Sequence, residues 1–227
     1  NVYPENGSFY CFGCGVGGDV ITFVRKIENL DYMEAVRFLA NRAGMQVPEE
    51  QVDDTMARLR ARVLEINRET ARFFHRVLLS PEGRPGLDYL TRRGLSMKTI
   101  RHFGLGFSPP GRFSLTDHLK KMGYTDQELI QANVAFQSRS GRTMDRFASR
   151  VMFPIIDLRG NVVAFGGRIL TDEKPKYINT SDTPVYHKSS GLFAMNFAKN
   201  NGGEQLILAE GYMDVISLHQ AGFTNAM

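Results

Sequence analysis

The spacing of apolar residues changes after Gly141, and this change constrains the fold of the 227-residue chain more than any other feature. Between residues 49 and 79 apolar side chains recur every three or four positions, as in a long amphipathic helix. After Gly141 short β-rich runs take over, and Leu158-Arg159-Gly160-Asn161 between two of them predicts a hairpin turn. Helices followed by paired strands predict an α+β protein.

The helical run from residue 49 to 79 forms a heptad-like seam that is broken by Thr70. A coiled-coil partner would fit such a seam. The run is short, however, and a linker helix that docks on the following domain fits it as well. We expect the docking helix. The seam consists of Val52, Met56, Leu59, Val63, Ile66, Thr70, Phe73 and Val77.

Capping residues predict where several helices begin. Asp19, Asp31 and Ser96 each precede an apolar-periodic segment and are expected N-caps. Thr125 with Glu128 three residues later forms a capping box. These segments predict local structure and carry no chemistry of their own.

The two cysteines, Cys11 and Cys14, are separated by two residues and surrounded by glycines. This spacing is typical of one half of a tetrahedral zinc site, because the glycines let backbone amides turn toward the sulfurs. No histidine lies at such a spacing, so we expect the other two ligands upstream of Asn1. A thioredoxin-like redox pair or two unrelated thiols are the alternatives. With no βαβ pattern following, we favour zinc and a reducing, cytoplasmic location.

Cationic and polar side chains gather on the strands after Gly141. Arginine forks and lysine charges neutralise phosphates, while tyrosine and asparagine position a sugar or base. A basic sheet edge that prevents aggregation is the alternative, but solubility does not require arginines flanking apolar strands. Gly166-Gly167 is expected where the backbone approaches a ligand closely. The set comprises Arg146, Arg150, Arg168, Lys174, Lys176, Tyr177, Asn179, His187 and Lys188.

The apolar run Leu206–Ala209 is interpreted as a buried strand that ends at Glu210 and Gly211, with Asp214 one turn later. Such strand ends hold metal-binding and catalytic carboxylates in α/β folds. A lone parallel strand is not a stable sheet, and residues 221–227 stand where a crossover should lead to a second one. We therefore expect an interior segment of a longer protein, with an incomplete metal site.

The charge balance of 28 Lys+Arg against 24 Asp+Glu, a net +4, allows nucleic acid as a partner without requiring it. No apolar run approaches the roughly 20 residues that span a bilayer, and no signal peptide is visible. No membrane partner is expected.

Several motifs, in their order along the whole chain, resemble those of bacterial DnaG-type DNA primases. Each is weak alone, and their ordered co-occurrence is specific. They are Cys11–Gly15, Tyr89–Leu95, Phe103–Phe107, Asp145–Phe147, Arg150–Ile155, Phe165–Arg168, Pro175–Asn179, Phe193 and Glu210–Val215.

The resemblance implies four parts. Residues 1–48 would be the C-terminal part of a zinc-ribbon DNA-binding domain, and 49–80 a linker helix leading into the core. Residues 81–203 would be the basic N-terminal subdomain of the core, a mixture of helices and β-sheet. Residues 204–227 would contribute the first strand and helix of an α/β Toprim fold.

The resemblance also implies site residues. Cys11 and Cys14 would be the last two ligands of one Zn²⁺ ion. Glu210 would be the first Toprim acid, catalytic and a magnesium ligand, with Asp214 as a second catalytic acid beside it. The site for template, primer or incoming nucleotide would be lined by Arg146, Arg150, Arg168, Lys176, Tyr177 and Asn179.

The implied activity is template-directed synthesis of short RNA primers with Mg²⁺ or Mn²⁺. The implied partners are single-stranded DNA, the RNA primer, ribonucleoside triphosphates and a replicative helicase bound through a region outside this chain. A monomer is expected. The alternatives are a Toprim nuclease or topoisomerase, a non-enzymatic zinc-ribbon DNA-binding module, and a phage-type primase–helicase fusion.

Overall fold

The computed structural model describes residues 1–28, 30, 32–45, 47, 54–189, 191–201 and 205–227. These residues form two compact units, Asn1–Leu59 and Arg60–Met227. Helices and antiparallel strands are both present, so the predicted α+β class is confirmed. No described helix combines the length and apolar character needed to cross a bilayer.

The first unit contains a three-stranded antiparallel sheet and two helices. Its strands are β1 (Val2–Tyr3), β2 (Ser8–Tyr10) and β3 (Gly17–Asp19), followed by α1 (Val20–Ile27) and α2 (Tyr32–Arg42). The Asp19 carboxylate accepts the Thr22 amide at 2.7 Å, which confirms the predicted N-cap. The expected cap at Asp31 lies outside the described residues.

The helix α3 (Asp54–Leu78) confirms the expected helical run. From Val63 onward the predicted seam is buried inside the second unit at Val63, Ile66, Thr70 and Val77. The prediction of a docking helix is therefore confirmed for this part of α3. At the other end, Met56 is exposed and Val52 lies outside the described residues.

The second unit is built around a four-stranded antiparallel sheet with the strand order β4-β7-β8-β9. Its strands are β4 (Gly106–Ser108), β7 (Arg150–Ile156), β8 (Val162–Ile169) and β9 (Tyr177–Asn179). The β7–β8 pair turns at Gly160, whose φ is +89°, and confirms the predicted hairpin. A separate antiparallel pair joins β5 (Ala135–Gln137) and β6 (Thr143–Asp145).

Six shorter helices complete the described part of the second unit: α4 (Arg84–Arg92), α5 (Met97–His102), α6 (Ser114–Lys121), α7 (Asp126–Gln131), α8 (Met195–Asn201) and α9 (Tyr212–Gln220). The predicted cap at Ser96 and the Thr125–Glu128 capping box are confirmed. The start of α6 is capped from a distance. The buried Asp145 carboxylate accepts the Leu115 and Thr116 amides at 2.9 and 2.8 Å.

The core of the second unit joins α3, α4, α5 and α9 to the sheet. It contains Leu78 of α3, Leu90 of α4, Ile100 of α5, Phe153 of β7 and Ile216 of α9. Their burial removes these apolar side chains from water, which is the main stabilising term for such a unit. One continuous core therefore places α9 against the basic strands.

The segment Leu206–Ala209 departs from the expected buried strand. It forms a single parallel bridge, Ile207 with Ala226, and Leu206 and Leu208 are 46% and 72% exposed. Ile207 and Ala209 pack against the core on one face of the segment, whereas Leu206 and Leu208 point to the other, exposed face. The prediction of a buried strand is wrong here. The parallel crossover toward residues 221–227 is confirmed by the amide of Met227, which donates to Ile207 O at 2.9 Å.

Candidate functional site

The two cysteines lie on an exposed turn between β2 and β3 of the first unit. The Cys11 amide donates to Val16 O at 2.7 Å, and the Gly15 amide donates to Cys11 O at 2.9 Å with Gly15 at a φ of +71°. Hydrogen bonds from Cys14 and from the Gly13 amide lower the pKa of the Cys11 thiol. A turn that stabilises a thiolate suits a zinc ligand.

These two thiols fit one half of a tetrahedral zinc site. Within the described ranges, no group of three or more His, Cys, Asp or Glu side chains could hold a metal ion. The half site at Cys11 and Cys14 stays a prediction.

The basic residues of the second unit do not form one uniform surface. Strand register places Arg168 of β8 opposite Tyr177 of β9, and Gly166 opposite Asn179. Lys176 is exposed at the start of this pair, and Tyr177 is 38% exposed. Register thus brings Arg168, Tyr177 and Asn179 together on β8 and β9, and Lys176 directly precedes β9 at this basic sheet edge.

Arg150 is bound to the protein's own backbone. It is 7% exposed, and its Nη1 donates to Gly167 O at 3.2 Å and to Pro175 O and Lys176 O at 3.3 Å. Burial lowers the pKa of its guanidinium. The side chain ties β7 to the connection between β8 and β9, and so holds Lys176 in place.

Arg146 is half-buried and, like Arg150, donates hydrogen bonds within the protein. Its Nη2 donates to Asn179 O and to Ser181 Oγ, each at 3.2 Å. Its Nε is buried and has no hydrogen-bond partner within the described part of the chain, and burial lowers the pKa of the guanidinium. Arg146 therefore fixes the end of β9 while keeping one donor unused.

Arg168 lies over two aromatic rings. Its Cζ lies 4.4 Å from the ring centroid of Tyr89 and 5.8 Å from that of Tyr177. Burial raises the pKa of the Tyr177 hydroxyl, and the positive charge of Arg168 opposes this. Tyr89 belongs to a family motif, but no role for it was predictable, because nothing in the local sequence places α4 beside β8.

Tyr212, the first residue of α9, connects the acidic segment to the sheet. Its ring stacks on Phe153 with centroids 5.1 Å apart, and its hydroxyl donates to Asn179 Oδ1 at 2.9 Å. A β-carbon on Gly166 would lie 2.5 Å from that ring. The expected approach of a ligand to Gly166 is therefore wrong, since the side chain of Tyr212 occupies the space.

The two predicted catalytic acids are exposed at the start of α9. Glu210 precedes the N-cap Gly211, and the Asp214 carboxylate lies over Gly211, 2.7 Å from where a β-carbon would be. Because Tyr212 follows Glu210 by two positions and is bonded to Asn179, the acids are tethered to the basic sheet edge. Exposed carboxylates of this kind suit a hard divalent cation.

The last residue of α9, Gln220, is also hydrogen-bonded to another element. Gln220 Oε1 accepts the Ser96 amide at 2.8 Å and the Thr99 hydroxyl at 2.7 Å, and its Nε2 donates to Gly94 O at 2.8 Å. α9 is thus anchored at both ends. Sequence reasoning missed Gln220, since a glutamine at a helix end gives no signal of a partner more than a hundred residues away.

Comparisons with known proteins agree with this arrangement. A family model described as the CHC2 zinc finger matches residues 1–55, which indicates zinc binding. A second, described as the DNA primase catalytic core, N-terminal domain, matches residues 73–199. The second match covers more than half of the chain.

Individual proteins that resemble this chain are DNA primases or parts of them. The DNA primase of Pseudomonas putida is 43% identical over 239 residues, covering 100% of this chain and 35% of that protein. The RNA polymerase domain of Mycobacterium tuberculosis primase DnaG has a TM-score of 0.70 at 42% identity, covering 74% of this chain and 55% of that one. The DnaG primase catalytic domain bound to ssDNA has a TM-score of 0.69 at 38% identity, covering 75% and 56%.

The chain spans about a third of the length of the curated relatives that it matches. The order of motifs, the confirmed hairpin and the core-domain match all point to the same family. The chain therefore belongs to the DNA primase catalytic-core family.

Proposed function

We propose that this chain is part of a DNA primase that joins ribonucleotides into short RNA primers on a single-stranded DNA template. The observation that carries the proposal is the Tyr212–Asn179 hydrogen bond of 2.9 Å, which ties the acidic segment to the basic sheet edge. A nucleotidyl transfer site needs both kinds of group close together, because cations bind the phosphates and carboxylates bind the metal ions.

The basic residues would divide this work. Arg168 and Lys176 have side chains available for phosphates of the template, primer or nucleotide, and Tyr177 and Asn179 would position a base or sugar. Arg150 and Arg146 would act mainly through the backbone that they hold. This division refines the equal roles that the sequence alone suggested.

Glu210 and Asp214 would hold Mg²⁺ or Mn²⁺ at the start of α9. A bound ion would lower the pKa of the primer 3′-hydroxyl and neutralise charge on the pyrophosphate. Glu210 would orient that ion or accept the hydroxyl proton. The 3′-oxygen would then attack the α-phosphorus of the incoming nucleotide as the bond to the β-phosphate oxygen breaks.

The remaining parts of the proposal follow from the family. Cys11 and Cys14 would bind zinc with two ligands from elsewhere, and the zinc ribbon would contact template DNA. A replicative helicase would be a partner through regions other than these residues, and the enzyme would act as a monomer.

The central test uses Glu210→Gln in the complete primase that contains this chain. We expect primer synthesis to fall by at least about 100-fold while single-stranded DNA binding changes little, because the substitution removes a charge and keeps the shape. Glu82→Gln, at an exposed position before α4, is the matched control and should leave synthesis unchanged. Undiminished synthesis by Glu210→Gln would contradict the proposal.

A second test uses the 227 residues alone. We expect weak, salt-sensitive binding of single-stranded DNA, because the basic edge contacts phosphates. No primer synthesis is expected, because one acidic segment supplies too few metal ligands. Metal-dependent synthesis by this chain alone would refute the view that further acids are needed.

A further inference from the structure

The three arginines of the basic strands differ in what their donors contact. Arg146 and Arg150 donate to backbone carbonyls. In the part of the chain that the structure describes, no carbonyl or carboxylate accepts a hydrogen bond from Arg168. Its contacts are instead with the rings of Tyr89 and Tyr177. It also interacts with the Tyr177 hydroxyl, whose pKa burial raises and hydrogen bonding to Arg168 acts to lower.

Those two rings lie against Arg168 from different elements. Tyr177 is its cross-strand neighbour on β9, so the pairing register alone places it there. Tyr89 comes from α4 and contacts the guanidinium more closely, at 4.4 Å against 5.8 Å. An aromatic ring attracts a cation over its face, so Tyr89 restricts the orientations of the guanidinium plane.

A guanidinium that lies flat over a ring keeps the hydrogen-bond donors along its edge free. Its N–H groups lie in the plane of the group and point away from its edge, so a ring on its flat face leaves them available. A phosphate binds such an edge with two parallel hydrogen bonds. If the ring already fixes the plane of the guanidinium, less side-chain entropy is lost when the phosphate binds, and binding is stronger.

The hydroxyl of Tyr89 does not explain why this residue is there. It is buried and finds no hydrogen-bond partner among the residues that the structure describes. The ring face is the part of Tyr89 that contacts a functional group. Phenylalanine should therefore replace Tyr89 without loss of this contact.

We propose that Tyr89 is a positioning residue that orients the Arg168 guanidinium to bind a phosphate group of a nucleotide or of a DNA strand. The inference rests on the proposed function, since it assigns a phosphate ligand to Arg168. It adds a residue of α4 to a site that the sequence placed entirely on the β-strands.

The test compares Tyr89→Met with Tyr89→Phe in the complete 227-residue chain. Methionine keeps an apolar side chain of similar length without a ring, and phenylalanine keeps the ring. Binding is measured by fluorescence anisotropy with a labelled oligodeoxythymidine of about 16 nucleotides, and separately with a fluorescent ATP analogue.

We expect Tyr89→Met to weaken binding of at least one probe about tenfold, equivalent to about 1.4 kcal/mol. Tyr89→Phe should stay within about twofold of the parent chain. Loss with the oligonucleotide alone identifies a strand phosphate, and loss with the ATP analogue alone identifies a nucleotide phosphate. In an Arg168→Gln background Tyr89→Met should have little further effect, because the group that it positions is gone.

Unchanged binding of both probes by Tyr89→Met would overturn the proposal, as would equal losses from Tyr89→Met and Tyr89→Phe. Binding of the two probes by the unsubstituted chain distinguishes a failure of the Tyr89 proposal from a failure of the proposed function. If the parent binds neither probe, the proposed function fails. If the parent binds and Tyr89→Met binds equally well, only the role of Tyr89 fails.

A measurement on the unmodified chain covers the case in which Tyr89→Met does not fold. The ring of Tyr89 should shift the Arg168 Nε–H resonance upfield in the nuclear magnetic resonance spectrum. It should also lower the mobility of that group on the picosecond-to-nanosecond timescale. A random-coil shift with high mobility would contradict the stacked geometry.

Discussion

Replacing Gly166 by alanine tests whether the Tyr212 ring is held where the structure places it. A β-carbon at Gly166 would lie 2.5, 2.6 and 2.8 Å from three atoms of Tyr212. The ring cannot move aside freely, because it stacks on Phe153 and its hydroxyl is bonded to Asn179. The added methyl group must therefore displace the start of α9 or distort β8.

The expected magnitude follows from two opposing effects. Inserting a methyl group into a packed site costs about 1–3 kcal/mol. Replacing a strand glycine by alanine otherwise gains about 0.5–1 kcal/mol, since the unfolded chain loses freedom. Gly166 is not among the residues with positive φ, so the backbone adds no strain. The net loss should be about 1–2 kcal/mol, or a fall of about 2–8 °C in Tm.

The assay is thermal and guanidinium unfolding of the parent chain, Gly166→Ala, Tyr212→Ala and the double variant. With Tyr212 truncated the methyl group has room, so Gly166→Ala should be neutral in that background or stabilising by up to about 1 kcal/mol. An equal loss in both backgrounds would refute the close contact between this ring and the strand. Primer synthesis in the complete primase should fall in parallel, because the proposed catalytic acids Glu210 and Asp214 lie just before and within the first turn of α9.

Three further predictions concern residues outside the catalytic acids. Asp145→Asn should lower the free energy of unfolding by about 2–3 kcal/mol in chemical denaturation, since an amide cannot accept both backbone N–H groups at the start of α6. Gln220→Met should remove three hydrogen bonds, two to the turn before α5 and one to Thr99 within α5, and speed amide exchange in α9 but not in β7. Burial, then the charge of Arg76, lowers the pKa of His118 below its usual 6.5. The unfolded chain then binds the proton more readily, so stability should be full above about pH 6.5 and decrease as pH falls through that region. His118→Gln should flatten this slope, and an unchanged slope would contradict the assignment.

Local features were predictable from sequence because their partners lie within a few residues. Asp19 accepts an amide three positions away, and so does Ser96. The turn at Gly160 depends on backbone conformation at that glycine. The Cys11–Cys14 turn is set by bonds within six residues.

Roles that depend on burial were not predictable in the same way. Arg150 and Arg168 look alike in sequence, and each flanks an apolar strand. In the structure Arg150 lies inside the β7–β8–β9 layer and donates to carbonyls, while Arg168 lies over two rings. The exposed segment at Leu206–Ala209 was misjudged for the same reason, since apolar character does not reveal how many neighbours a strand has.

The sequence by itself determined the helix starts, the hairpin, the thiol turn and the order of motifs that indicates a primase. Each of these depends on hydrogen bonds or conformational preferences between residues close along the chain. The tertiary structure alone decided which arginine side chains are not bound to backbone carbonyls, and how the segment with Glu210 and Asp214 is joined to β9. Those outcomes rest on contacts such as Tyr212 with Asn179 and Gln220 with Ser96, 33 and 124 positions apart. Contacts of that range form only when the shared core brings α9, α4 and the sheet together.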